Sequence, residues 1–306
     1  MLEPRLETVE CPQVAAATGG VRRMAYWRWQ DPECSHPERW VVCVHGLTRQ
    51  GRDFDALART LAKHATVICP DVAGRGHSDW LANPAQYSVA TYVPDMLHLL
   101  SKLGISDCDW VGTSMGGLIG MGVASLPQSP IRRLILNDVG PSITKASLVR
   151  IASYVGKGPD FATLQDGVNY LRDIAAGFGP HTDADWNALS APMFRQRDGR
   201  WVFHYDPAIA VPLGMLDLPN VDELLAQGEA LSWAAYDAIE AKTLVIRGGD
   251  SDLLTPQTLR SMAERGPKAT HVTFEGVGHA PTLIAPDQQQ AVMAFLGWVS
   301  HHDASK

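Results

Sequence analysis

A chain of 306 residues, 45% hydrophobic and 19% charged, is long enough to bury a sizeable α/β core, and this composition excludes a disordered or fibrous protein. The net charge of −7 is spread along the chain and no run of Lys or Arg exceeds two residues, so no surface for tracking nucleic-acid phosphates is expected. The opening MLEPRLETVE lacks a basic segment followed by an apolar one, and the five cysteines (Cys11, Cys34, Cys43, Cys69, Cys108) show no CxxC spacing, so reduced thiols in a cytoplasmic protein are expected.

In chain order, short apolar runs rich in β-branched residues predict strands at Val41 to Gly46, Thr66 to Asp71, Asp109 to Ser114, Arg133 to Asp138, Thr243 to Gly249 and Val272 to Gly278. Their continuous apolar character marks strands buried on both faces. Helices are predicted between them at Asp53 to His64, Thr91 to Leu103, Met115 to Ala124, Gln257 to Arg265 and Gln288 to Val299, where apolar residues such as Leu57 and Leu61, or Met96, Leu99 and Leu100, recur at helical spacing. The alternation predicts an α/β fold: a mainly parallel, doubly wound sheet with helices on both faces. Gly140 to Ala241 breaks the rhythm. It holds helical patches near 143–155, 161–176 and 221–239, a loop-rich middle (GFGPHTDADW) and no convincing β run, which predicts a mostly helical insertion over the carboxyl edge of a core formed by 1–139 and 242–306. The apolar run from Trp110 to Gly122 is too short to span a bilayer.

That run carries Gly112-Thr113-Ser114-Met115-Gly116, a G-x-S-x-G pattern at a strand-to-helix junction. A serine on so sharp a turn projects its hydroxyl above the sheet as a nucleophile, and flanking glycines let neighbouring backbone approach. The next amide, that of Met115, falls at a helix N-terminus, where it can bind a developing oxyanion. A serine nucleophile needs a base, and the base an orienting acid. Of the eleven histidines, His279 in FEGVGHAPTL follows the last predicted strand and precedes the last helix, at the edge that also carries Ser114. Asp250 and Asp252, in DSDLLT after the fifth predicted strand, both satisfy the chain order Ser, Asp, His.

VVCVHGLTRQGRDF, PDVAGRGHSDW, GTSMGG, RGGDSDLLT and GVGHAP together resemble the α/β-hydrolase superfamily over nearly the whole chain. The resemblance implies a second oxyanion amide at Leu47, after the His-Gly pair, and a helical cap at 140–241. It carries the acid onto Asp252, and Leu253 and Leu254 are expected to anchor that loop; Asp250 remains the alternative, and Asp138 matches the acid of a minority of relatives. It also implies that Asp71 and Arg75 belong to a turn packed under the site with their charges paired, that Arg49 and Arg52 are solvated or pair with cap acids, and that His45 is hydrogen-bonded rather than a base. The cap side chains Tyr154, Phe161, Phe194, Trp233, Met193 and Met215 are expected to be core more than substrate wall.

A serine at the elbow excludes the superfamily routes that need a carboxylate there and leaves acyl transfer. Hydrolysis of carboxylic esters, of small to medium acyl groups or hydroxyacids, is the expected activity, with no metal or organic cofactor. Two alternatives stay open: C–C hydrolysis of a ring-fission dienoate, which needs a cation such as Arg49 or Arg195 for the substrate carboxylate, and a non-hydrolytic ligand sensor on the same fold.

Overall fold

The computed structural model describes residues 2–12 and 20–298; the last residue of the helix expected to reach Val299 lies outside them. The chain begins with two strands the sequence did not predict, β1 (Arg5–Pro12) and β2 (Val21–Trp29), paired antiparallel. RLETVECP carries three charged residues and stays largely exposed because β1 is an edge strand of the sheet. The predicted strands follow as β3 (Trp40–Val44), β4 (Thr66–Pro70), β5 (Cys108–Thr113) and β6 (Ile131–Asn137), with helices α1 (Asp55–Leu61), α2 (Val89–Lys102) and α3 (Met115–Ala124) between them.

After β6 the chain makes α4 (Lys145–Tyr154), α5 (Leu164–Ile174), α6 (Asp183–Ser190), the strands β7 (Phe194–Arg197) and β8 (Arg200–Phe203), a 3-10 run over Pro207–Asp217, and α7 (Val221–Asp237). The hairpin β7–β8 corrects the expectation of no β run here: Asp198 and Gly199, both at positive φ, form its two-residue turn. Helix α6 lies in the supposed loop, started by Thr182 and Asp185 bonding reciprocally across its first turn. The sheet then resumes with β9 (Lys242–Gly248), α8 (Pro256–Glu264), β10 (Thr270–Phe274) and α9 (Pro286–Phe295).

The large sheet runs β1-β2-β4-β3-β5-β6-β9-β10, antiparallel through β2–β4 and parallel from β4 onward. Successive residues of β3 enter opposite cores: Val42 and Val44 pack with Met96, Leu99 and Ile119 of α2 and α3, while Val41 and Cys43 pack with Leu57, Leu61 and Val292 of α1 and α9. Burial of both faces is the physical reason the strands read as continuous apolar runs. From β3 the chain crosses to β4 on one side and later enters β5 on the other, so the loops leaving β3 and β5 part at a topological switch point, where open α/β sheets place their ligand crevice. Among the described residues no helix is long and apolar enough to cross a membrane.

Candidate active site

Ser114 joins β5 to α3 with φ 50° and ψ −114°, a region a non-glycine residue enters only when its surroundings impose it. Here the backbone does so: the Ser114 N–H donates to the Asn137 carbonyl at 2.9 Å, and the Ser114 carbonyl accepts from the amides of Gly117 and Leu118 at 2.8 and 3.1 Å. The flanking glycines are steric necessities. A Cβ on Gly116 would collide with the Val44 carbonyl, and one on Gly112 with the backbone of Gly116 and Gly117. The seryl side chain is thus held, half-buried, over the carboxyl edge of the sheet.

His279, in the loop after β10, presents Nε2 to Ser114 Oγ at 2.9 Å and Nδ1 to Asp138 Oδ2 at 2.7 Å. A carboxylate only accepts, so Nδ1 carries the proton and Nε2 offers its lone pair to the serine hydroxyl. Asp138 directly follows β6, is fully buried and lies at φ 57°. Its Oδ1 accepts from the Gly248 amide at 3.0 Å, and its Oδ2 also accepts from Ser251 Oγ at 2.6 Å. Asn137 ties the end of β5 to the His279 loop, donating from Nδ2 to the Pro281 carbonyl at 2.7 Å and to Thr113 Oγ1 at 3.0 Å.

The loop after β3 runs beside this group, since a Cβ on Gly46 would come within 3.8 Å of Ser114 Cβ. The Gly46 carbonyl, in the same peptide unit as the Leu47 amide, accepts from His45 Nδ1 at 2.7 Å and from the Arg49 amide at 3.2 Å. His45 Nε2 in turn accepts from the Val72 amide at 3.0 Å, and burial pushes its imidazole down to about 3, so it stays neutral with the proton on Nδ1. As expected, His45 is a hydrogen-bonded support; through it the Leu47 peptide is fixed from behind. Met115 opens α3, so its amide has no carbonyl four residues earlier within the helix.

Residues 39–286 match the family described as the alpha/beta hydrolase fold. The chain belongs to the α/β-hydrolase family. It is 46% identical over 289 residues, 93% of this chain and 95% of the relative, to a 3-hydroxybutyrate-oligomer hydrolase of Cupriavidus necator. An esterase of Mycobacterium tuberculosis is 26% identical over 93% of this chain and 88% of its own. Among solved structures, an alpha/beta hydrolase of Novosphingobium aromaticivorans superposes with a TM-score of 0.80 at 33% identity, covering 98% of this chain and all of that one.

In this α/β-hydrolase the carboxylate at His279 is Asp138, and the expectation of Asp252 is corrected. Asp252 points outward, its side chain 50% exposed, and is gripped by Arg150 of α4 through Nε at 2.6 Å and Nη2 at 2.9 Å, while its carbonyl accepts from Ser147 Oγ. Asp250 is exposed as well. Leu253 and Leu254 do anchor the loop in the core, but the residue this turns inward is Ser251, which donates to Asp138. Asp252→Asn is therefore expected to leave turnover of a p-nitrophenyl ester within about twofold of wild type and to cost at most about 1 kcal/mol of stability, the range of an exposed ion pair. A hundredfold loss in a normally melting variant would return the acid role to Asp252.

Other charges also sit differently. Arg49 pairs in its own loop with Asp53, at 2.7 Å through both Nε and Nη2, and reaches the inserted segment at the Leu189 carbonyl rather than at an acid; Arg52 pairs with Asp55. Asp71 and Arg75 are not paired with each other: Asp71 accepts from the amides of Gly51 and His77, and burial pushes its carboxyl up to about 7. Phe161, Phe194 and Met193 form a small core of the insertion as expected, whereas Tyr154 is exposed.

Proposed function

We propose that this enzyme hydrolyses esters of short hydroxyacids, 3-hydroxybutyrate oligomers among them, through an acyl-enzyme on Ser114. The chain is a hydrolase of ester bonds. The observation that carries the mechanism is the unbroken contact from Ser114 Oγ through the His279 imidazole to Asp138, with the serine held at positive φ. Ser114 Oγ attacks the ester carbonyl while His279 Nε2 takes its proton, and Asp138 stabilises the imidazolium that results. The amides of Leu47 and Met115 bind the oxyanion. His279 then gives its proton to the departing alkoxide; water attacks the acyl-enzyme, losing its proton to the same nitrogen, and the acid leaves as Ser114 recovers its own.

Residues 140–241 act as a cap in this reading. Several contacts tie them around the site: the Gly278 amide donates to the Gly177 carbonyl at 2.5 Å, His181 Nε2 meets Thr282 Oγ1 at 2.7 Å, and Arg49 holds the Leu189 carbonyl at 2.9 Å. The substrate class is supported by the Cupriavidus necator relative, whose match spans nearly all of both chains. The dienoate alternative loses support, since Arg49 is occupied by Asp53 and Arg195 stacks on Trp80, 5.4 Å from its ring centre.

Incubation with linear 3-hydroxybutyrate dimer and trimer, beside p-nitrophenyl esters of two to twelve carbons and one ring-fission dienoate, tests the reading. Monomeric 3-hydroxybutyrate should accumulate from both oligomers, and short acyl groups should be preferred. Ester turnover without monomer release would sink the substrate assignment. Cleavage of the dienoate alone would sink the ester reading.

A further inference from the structure

Arg75 is fully buried, yet no carboxylate lies within ion-pairing distance of it among the described residues. A buried cation without a counter-ion is costly, and such groups are ordinarily paired or removed. This one is held by neutral groups alone: Nε donates to the Leu47 carbonyl at 2.8 Å, and Nη1 donates to the Ala73 carbonyl at 2.7 Å and to Tyr92 Oη at 2.8 Å. Nη2 lies 3.6 Å from Met115 Sδ, and the guanidinium stands over the rings of Tyr87 and Tyr92 at 5.5 and 5.3 Å. One uncompensated positive charge thus touches both Leu47 and Met115, the two residues whose amides are assigned to the oxyanion.

We propose that Arg75 is a positioning residue of the oxyanion site, fixing the Leu47 loop against the start of α3 and adding its charge behind the two amides; this rests on the acyl-enzyme reading above. Its contacts are to residues behind the site, so it acts through them. In the ground state an ester carbonyl is neutral and gains little from this charge. The tetrahedral intermediate carries a full negative charge in a water-poor site, where a fixed cation counts for far more. The role therefore shows in kcat and in the binding of anionic tetrahedral adducts, with KM spared.

The test uses the full-length enzyme, p-nitrophenyl butyrate as substrate and butylboronic acid as the probe that forms a tetrahedral anion on the serine. In Arg75→Gln, kcat should fall roughly ten- to a hundredfold, below the loss for deleting an oxyanion donor outright. The boronate inhibition constant should rise by the same factor, and KM should stay within about twofold. Arg75→Lys, which keeps the charge, should recover most of the loss. Should Arg75→Gln not fold, Tyr92→Glu decides, because it leaves the guanidinium in place and sets a counter-charge on it; it should weaken boronate binding as Arg75→Gln would. Wild-type boronate affinity in either folded variant, or a Lys variant as impaired as the Gln one, overturns the proposal. Failure of the underlying reading is separate and would appear as boronate binding and turnover that survive Ser114→Ala.

Discussion

Ser114→Ala is expected to reduce ester turnover to about a thousandth of wild type or less while leaving the fold and its melting temperature essentially unchanged. The two halves have different causes. In the proposed mechanism the hydroxyl is the nucleophile and His279 has no other group to deprotonate at that position, so its loss removes covalent catalysis and leaves only oxyanion and substrate binding. The elbow itself is held by the backbone: the Ser114 amide on the Asn137 carbonyl, and the Ser114 carbonyl on the amides of Gly117 and Leu118. Alanine has the same Cβ and meets the same cost at φ 50°, so no strain is added. The single hydrogen bond lost, to His279, is part-buried, so the change in stability should stay at about 1 kcal/mol. Turnover with p-nitrophenyl butyrate beside a thermal melt checks both. A variant that melts normally and keeps a tenth of its turnover would remove Ser114 from the nucleophile's role.

The parallel part of the fold was legible because burial on both faces leaves a coarse mark: six apolar runs, interleaved with five helical repeats, became β3, β4, β5, β6, β9 and β10. Strands half in water leave a fainter one. In VRRMAYWRW the arginines mask β2, although Arg22 is itself buried against Asp95 of α2. The β7–β8 hairpin was readable in principle from Asp198-Gly199 between FRQR and RWVF, a turn signal that two four-residue strands made easy to pass over. So was α6, since Thr182 and Asp185 have the spacing of a capping box.

Within the site, Ser114 and His279 were readable because each carries a local pattern fixed by backbone geometry. The acid was not. After β9 the chain presents Asp250, Ser251 and Asp252 in succession, and which one faces inward depends on a single residue of turn geometry that composition does not encode. Ser251 takes the inward place, and its hydroxyl completes the ligation of a carboxylate arriving from β6, 113 positions away in the chain. A signal existed in Asp138 itself, an acid ending the apolar run RLILN with no neighbour in sequence to neutralise it. Arg75 is the converse case. The resemblance puts it in a turn under the site with its charge paired, and only the fold reveals that its cation is buried against the Leu47 carbonyl with no counter-ion among the described residues.

Asp138→Asn should cost about 10³ to 10⁴ in kcat with the fold retained. The size of the loss follows from which way the new amide must face. Asp138 Oδ1 accepts from the Gly248 N–H, a backbone donor that cannot rotate, so the asparagine places its oxygen there and turns its NH₂ toward His279 and Ser251. Flipping the amide would set NH₂ against N–H and strand two buried donors. With NH₂ facing it, His279 Nδ1 becomes the acceptor and the ring proton moves to Nε2. That nitrogen then points a hydrogen at Ser114 Oγ and cannot take the serine's proton. Ser251 Oγ already accepts from the amides of Leu253 and Leu254 at 3.2 and 3.1 Å, so its hydroxyl loses its acceptor and the change costs about 1–3 kcal/mol, less than a typical margin of stability. Folding should therefore survive. Asp250→Asn and Asp252→Asn, measured beside it with p-nitrophenyl butyrate and thermal melts, should stay near wild type, since both carboxylates face away from His279. A folded Asp138→Asn enzyme with a tenth of normal turnover would mean that His279 finds its tautomer without this carboxylate, and the assignment of Asp138 as the orienting acid would fall.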